Sequence, residues 1–205
     1  PTPIVDYNMG FGSCSSVTQP TQDVLIFDGN DHVALPSNQG LGYVPPLTVA
    51  GWFKVDNATN GPQTIWGGGS NYLDSHMLFI HEKRLRFQRC HSNGNCNVNL
   101  TNDTDLENNT WTHFAFTVDG TEAKMYIDGT LDHEGGNANW VTAALDTTLY
   151  LGRRSSDAQG NWFSGQLDDL GIWNRALNAS EIESLHDQVT LEGELLTELL
   201  AFYEM

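Results

Sequence analysis

The clearest pattern in the chain is an alternation of residues between positions 111 and 129, WTHFAFTVDGTEAKMYIDG. In its first half, Phe114, Phe116 and Val118 fall on one face, and the residues between them fall on the other. Successive side chains of a β-strand point to opposite faces, so a period of two predicts a strand. The second half, AKMYI, alternates in the same way and predicts a return strand.

Two Asp-Gly pairs mark the ends of these runs. Asp119-Gly120 lies between the runs and favours a type I′ turn, which requires positive φ angles and suits the twist of an antiparallel pair. Asp128-Gly129 ends the return strand. We therefore predict a β-hairpin at the centre of an all-β domain.

Similar short runs occur along most of the chain. They predict further strands over 24–27, 32–35, 47–55, 64–66, 76–81, 84–88, 148–153 and 166–173. Glu82-Lys83 is expected to be the turn of a second hairpin. Two stretches rich in polar residues, 91–110 and 132–147, are expected to be long loops, and long loops in compact domains are often functional.

The C-terminal part of the chain carries different signals. Ser180 and Glu183 form a capping box, which predicts a short helix over 181–187. The final segment LLAFYEM reads as a strand. We place one domain at 1–190 and expect 191–205 to be either an edge strand of that domain or the start of a following one.

Several motifs together resemble the laminin-G-like, concanavalin-A-like jelly rolls. Besides the hairpin, the motifs are VLIFDGNDHVAL, LTVAGWFKV, LYLGRR and FSGQLDDLGIWNRALNASEI, and they occur in the order typical of that family. The resemblance covers roughly residues 22 to 187 and implies an antiparallel β-sandwich of two sheets, with one short helix near the C-terminus. It does not identify a ligand, because this fold carries lectins, adhesion modules and polysaccharide-active enzymes.

Charge changes the list of expected partners. The formal net charge of −17 disfavours nucleic acid and anionic membranes, which would be repelled. No apolar run in the sequence is long enough to span a bilayer, and no signal peptide is evident, so we expect a soluble mature protein or an excised domain. The excess of carboxylates serves either solubility or calcium binding.

Two of the three cysteines, Cys90 and Cys96, enclose the polar segment HSNGN. This spacing favours a disulfide at the end of a hairpin and an oxidising compartment. Zinc is the alternative, with His91 as a further ligand, but this set is thin for a zinc site. Cys14 has no evident partner. Secretion is also indicated by the glycosylation sequons, which begin at Asn57, Asn99, Asn102, Asn108 and Asn178.

A structural calcium ion is implied by the resemblance. In the family, the strand that carries FDG lies beside the strand that carries LDD, and this neighbourhood often holds one calcium. By position, the ligands here would be Asp28 and Asp168, with Asn30 completing the shell. The alternative is that both aspartates cap turns by accepting backbone hydrogen bonds.

Aromatic residues in or beside loops rich in Gly and Asn are candidate ligand contacts, because sugars stack their apolar faces on aromatic rings. These residues are Trp66, Tyr72, Trp140 and Trp162. Polar neighbours that can bind hydroxyl groups are Asn71, Arg153, Arg154 and Asn161. The alternative for each aromatic residue is that it covers the core under a long loop.

Catalysis has little support in the sequence. The E-x-D-x-x-E-like pattern of glucanases is absent, and an acid/base pair would have to come from scattered residues such as Glu82, Asp168 and Asp169. We therefore expect a secreted, non-catalytic module that recognises glycans or a cell-surface partner within a larger extracellular protein or adhesin. A polysaccharide hydrolase or lyase, and a structural spacer without a ligand, are the alternatives.

Overall fold

The computed structural model describes residues 24–35, 46–71, 74–90, 96–120, 122–135, 149–154, 161–187, 191 and 193–203. These residues form an antiparallel β-sandwich of two sheets, as predicted. In chain order the strands are β1 (Leu25–Asp28), β2 (Val33–Leu35), β3 (Leu47–Val55), β4 (Gln63–Asn71), β5 (Asp74–His81), β6 (Arg84–Cys90), β7 (Cys96–Thr101), β8 (Trp111–Val118), β9 (Ala123–Ile127), β10 (Thr130–Gly135), β11 (Leu149–Leu151), β12 (Ser164–Trp173) and β13 (Leu199–Tyr203).

The first sheet has the order β1-β12-β3-β8-β9-β10, and the second has the order β2-β11-β4-β5-β6-β7. The last strand, β13, pairs with the end of β12. The main core lies between the sheets, where large aromatic side chains such as Phe53, Phe114 and Phe116 are fully buried. The Phe87 and Phe116 rings stack across the sandwich with centroids 4.0 Å apart.

The central hairpin is present, but its turn differs from the prediction. Val118 pairs with Ala123, so the two strands are not joined by a two-residue type I′ turn at Asp119-Gly120. The Asp119 N–H donates to the Glu122 carbonyl at 3.1 Å, and the Asp119 carboxylate accepts from the Glu122 N–H at 2.9 Å, which stabilises this end of the hairpin. The two-residue turn lies at Asp128-Gly129 instead, where both φ angles are positive.

This second turn leads into a strand that the sequence analysis did not predict. β10 occupies the beginning of the stretch 132–147, which was expected to be a loop. Similarly, β7 lies within the predicted loop 91–110. Both strands lie at sheet edges. β10 is polar and lacks apolar alternation, whereas β7 alternates Cys96, Val98 and Leu100 with polar residues but lies in a stretch whose polar composition favours a loop. The hairpin around Glu82-Lys83 is confirmed, with positive φ angles at both residues.

The helix α1 (Ala179–His186) begins two residues earlier than predicted. Its capping box uses Asn178 as the N-cap and Glu181 at the third helical position, rather than Ser180 and Glu183. Together with a short 3-10 helix, Gly193–Leu196, it packs on the outer face of the first sheet. A small second core forms there from Ala50, Ala115, Tyr126, Trp173, Leu177, Ile182 and Leu195.

Candidate functional site

A cluster of aromatic rings around one guanidinium group lies beside the edge of the second sheet. Its members are His32 just before β2, Tyr150 in β11, Arg153 just after β11, and Trp162 just before β12. Tyr150 lies between Leu149 and Leu151, which are both buried in the core. Because side chains alternate along a strand, Tyr150 must point away from the core.

The guanidinium carbon of Arg153 lies 5.0 Å from the centroid of the Tyr150 ring and 5.0 Å from that of Trp162. Both distances are within the range of cation–π attraction. The His32 ring contacts the same two residues, with centroids 5.5 Å from Tyr150 and 5.8 Å from Trp162. His32 is exposed and the other three side chains are half-buried, so the cluster reaches solvent.

Backbone hydrogen bonds fix the two segments that carry Arg153 and Trp162. The N–H of Gly152 donates to the Ile65 carbonyl, and the Gly152 carbonyl accepts from the N–H of Phe163, both at 3.0 Å. Gly152 has a φ of +82°, and a Cβ there would lie 2.5 Å from the Phe27 ring, so only glycine fits. The cluster is therefore preorganised by the sheet rather than carried on a free loop.

Of the residues predicted to contact a ligand, Arg153 and Trp162 belong to this cluster. Asn161 is half-buried next to Trp162, and its carbonyl accepts a hydrogen bond from the Thr64 N–H. Trp66 is only 1% exposed and packs against His76 in the interior, so it covers the core. Arg154 is also buried.

Of the other three predicted contacts, one lies within the described residues and two lie outside them. Asn71 is the last residue of β4, while Tyr72 and Trp140 lie outside the described residues. Sequence reasoning missed His32 and Tyr150. The signal for Tyr150 was the alternation in Leu-Tyr-Leu, which places a single aromatic residue on the outer side of a strand.

The structure does not bring together the two aspartates predicted to share a calcium ion. Asp28 pairs with Ser164, whereas Asp168 follows Leu167, which pairs with Leu25 at the other end of β1. At about 3.3 Å per residue, the aspartates are roughly 13 Å apart along the sheet, too far for one coordination shell. Among the described residues, no three His, Cys, Asp or Glu side chains are arranged to hold a metal ion.

Both aspartates instead accept local backbone hydrogen bonds. Asp28 is exposed, and its carboxylate accepts from the Asn30 N–H at 3.2 Å. Asp168 is fully buried, and its carboxylate accepts from the Asp169 N–H at 2.9 Å. For Asp28 this is the turn-capping alternative raised by the sequence, whereas Asp168 lies within β12. The buried Asp168 carboxylate lies next to a bulge in β12.

The two candidate disulfide partners lie directly opposite each other. Cys90 ends β6, Cys96 begins β7, and their Cα positions are paired across the two strands. Paired Cα atoms of antiparallel strands are about 4.5 or 5.5 Å apart, within the range that a disulfide spans. The register therefore fits the predicted bond.

A separate group of rings lies beneath the end of α1. Trp52 contacts His113 with centroids 5.3 Å apart and stacks on His186 at 5.6 Å. His113 is 1% exposed, and its Nδ1 has no hydrogen-bond partner. Burial, and to a lesser extent the neighbouring His186, lower the pKa of His113 to about 3. This imidazole is held neutral in a packed, enclosed position.

Comparison with known proteins identifies the family. Residues 27–183 match the model of the concanavalin A-like lectin/glucanases superfamily, which is more than half of the chain. The chain belongs to this superfamily. A similar protein is C-reactive protein 1.4 of Limulus polyphemus, which is 27% identical over 158 residues. That match covers 71% of this chain and 64% of the Limulus protein, slightly less than two thirds of its length.

Several solved structures share the fold. Domain 4 of AbnA, an extracellular arabinanase from Geobacillus stearothermophilus in complex with arabinotriose, has a TM-score of 0.62 and 23% identity, covering 80% of this chain and 76% of that one. The CBM40 of a Ruminococcus gnavus sialidase, bound to α2,3-sialyllactose, has a TM-score of 0.67 and 11% identity, covering 80% and 97%. The heptameric SAP-like pentraxin of Limulus polyphemus has a TM-score of 0.59 and 15% identity, covering 88% and 90%.

Proposed function

We propose that this chain is a secreted, non-catalytic module that binds glycans and forms part of a larger extracellular protein. The observation that carries the proposal is the cluster of Tyr150, Trp162 and His32 around the Arg153 guanidinium. Solvent-accessible aromatic rings offer apolar faces to sugar rings, and the guanidinium and imidazole offer donors to hydroxyl groups. Preorganised side chains lose little entropy when a ligand binds.

The fold neighbours support the same proposal. The AbnA domain and the CBM40 are described with bound oligosaccharides, so this sandwich accommodates sugars in other chains. Because these neighbours have low sequence identity to this chain, they support the fold alone. The ligand of this chain is inferred from its own site residues. In the described part of the chain, no helix is long and apolar enough to cross a membrane.

A catalytic function has less support from the candidate carboxylates. Asp168 is fully buried and Asp169 follows it directly in β12, whereas Glu82 lies in the β5–β6 turn of the other sheet. This arrangement does not present two carboxylates across a shared cleft, which glycoside cleavage requires. The Cys90–Cys96 disulfide remains part of the proposal, since it fits the oxidising environment that secretion implies.

A glycan array probed with and without a chelator tests the proposal. We expect the wild-type protein to bind a defined class of glycans, and the Trp162→Ala variant to lose that signal. The matched control is Trp111→Ala, because Trp111 is also half-buried and packed against a cation, Lys54, but lies in the first sheet. If folded wild-type protein binds no glycan in either condition, the spacer alternative is favoured. A signal lost only with chelator would show that a divalent cation takes part in binding.

A further inference from the structure

The asparagine side chains of the glycosylation sequons differ sharply in their exposure to solvent. Asn102 is 2% exposed, and both atoms of its amide are used. Its Oδ1 accepts from the Leu85 N–H at 2.8 Å, and its Nδ2 donates to the Thr104 carbonyl at 2.6 Å. A sugar on this nitrogen would displace the loop that follows β7, so a chain modified at Asn102 is incompatible with this fold.

Asn178 presents the opposite situation. Its side chain is exposed, and its Oδ1 caps α1 by accepting from the Glu181 N–H at 3.1 Å. N-glycosylation uses the amide nitrogen and leaves this oxygen unchanged. The sequon hydroxyl, on Ser180, is exposed as well. The cap and a sugar can therefore exist on the same side chain.

A groove of about 280 Å³ opens directly beside Asn178. It lies on the outer face of the first sheet, between α1 and the strands β8, β9 and β10. Its lining combines apolar and polar groups from Thr117, Glu122, Tyr126, Leu131, Leu177 and Asn178. Leu131 is 44% exposed, although it sits directly across the strands from the buried Tyr126.

This lining has the chemistry of a sugar contact surface. An apolar patch beside Leu131 offers a base for a pyranose ring, and the Glu122 carboxylate and Thr117 hydroxyl offer acceptors for its hydroxyl groups. Lys124 forms an ion pair with Glu122 at 3.1 Å, which holds that carboxylate at the rim. The groove also begins at the residue to which a glycan would be attached.

We propose that Asn178 carries an N-linked glycan and that the first sugar of this glycan packs in the groove over Leu131. The amide Nδ2 of Asn178 attacks C1 of an oligosaccharide linked to a lipid pyrophosphate. The new N–C1 bond forms as the C1–O bond breaks; the lipid pyrophosphate leaves with the electron pair, and the amide proton passes to a base. This inference rests on the proposed secretion of the chain and is independent of the Arg153 cluster.

The test is expression of the full chain in secreting eukaryotic cells, followed by peptide mapping of the secreted protein. We expect a glycan at Asn178 and none at Asn102. Ser180→Ala should remove the Asn178 glycan while leaving the helix cap in place. Asn178 found unmodified in secreted wild-type protein overturns the proposal, and an occupied Asn108, another exposed sequon, would show that the cells were competent.

Thermal melting tests separately whether the first sugar at Asn178 packs in the groove. After enzymatic trimming to one sugar per site, the wild-type protein should melt about 2 °C or more above Ser180→Ala. The matched control is Thr110→Ala. This variant removes the Asn108 sequon, and neither Asn108 nor Thr110 lines the groove. Equal melting of trimmed wild type and Ser180→Ala would overturn the packing. Glycan-array binding by Ser180→Ala should be unchanged, so failure here is distinguishable from failure of the ligand site.

Discussion

The guanidinium of Arg153 contacts the rings of both Tyr150 and Trp162, with its carbon 5.0 Å from each centroid. Trp162 reaches this position because the Phe163 N–H binds the Gly152 carbonyl, which joins the start of β12 to the end of β11. The order of strands in the second sheet and the backbone of one glycine therefore create the candidate ligand surface.

The cysteine register predicts a disulfide. Cys90 and Cys96 are cross-strand partners, so protein purified under oxidising conditions should show them linked in non-reducing mass mapping. Closing so short a loop contributes about 2 kcal/mol to the free energy of unfolding by the chain-entropy relation. The Cys90→Ser, Cys96→Ser double variant should be less stable by this amount. Two free thiols in the oxidised preparation would reject the bond.

The buried histidines predict acid sensitivity. His76 and His113 both have a folded-state pKa lowered from 6.5 to about 3, mainly because burial disfavours the charged form. Between these values the unfolded state binds more protons, so stability falls as the pH falls below about 6.5. From pH 7 to pH 5 each histidine should cost about 2 kcal/mol of unfolding free energy.

Denaturant melts of His113→Phe test this linkage at one site. Phenylalanine keeps a ring beside Trp52 and removes the titrating group. The variant should lose about 2 kcal/mol less than wild type between pH 7 and pH 5. Identical pH dependence in the two proteins would show that His113 does not titrate on unfolding in this range.

The Asp128-Gly129 turn predicts that protein stability is sensitive to substitution of Gly129. Gly129 has a φ of +74°, and a Cβ there would lie 3.0 Å from the His186 side chain. Gly129→Ala should therefore destabilise the protein by about 1–2 kcal/mol from backbone strain alone. Gly61→Ala is the control, since a Cβ at Gly61 has nothing within 4 Å. Equal stability of the two variants would contradict this account of the turn.

The same turn illustrates what the sequence predicts well and what it does not. The sequence predicts a two-residue turn at Asp119-Gly120 and only the end of a strand at Asp128-Gly129, but the second pair is the one that forms the two-residue turn. The difference comes from tertiary contacts: the Asp128 carboxylate accepts from the His113 N–H on β8, whereas the Asp119 carboxylate accepts from Glu122 inside its own loop. Such contacts depend on register, which dipeptide preferences do not specify.

The apolar strands were predictable because alternation or continuous apolar runs marked them, as in Leu47–Val55. The polar edge strand β10 lacks this mark, whereas β7 carries it in Cys96, Val98 and Leu100 but lies in an otherwise polar stretch, so composition favours a loop at both. For the candidate site, composition and position identified Trp162 and Arg153 as well as Trp66. Only the pairing of Leu151 with Trp66 shows that the latter points inward, beyond the reach of a surface ligand.

Because Asp28 and Asp168 are far apart, we expect that the effect of a chelator on the melting temperature does not depend on Asp168. Asp168→Ala should destabilise the protein in thermal melts, because it removes a fully buried carboxylate that accepts the Asp169 N–H. Any change of melting temperature on adding chelator should be the same in wild type and in this variant. A chelator effect present in wild type and absent in Asp168→Ala would restore the calcium site that the register argues against.

The central claim is that the Arg153 cluster binds glycans, and calorimetric titration of the strongest array ligand tests it most directly. The titration should be run with wild type, Trp162→Ala and Trp111→Ala at matched concentrations. Loss of one stacking ring should weaken binding at least about tenfold, equivalent to about 1.4 kcal/mol. We expect this for Trp162→Ala, with wild-type affinity for Trp111→Ala. Wild-type affinity in a folded Trp162→Ala variant would show that the glycan binds elsewhere on this protein.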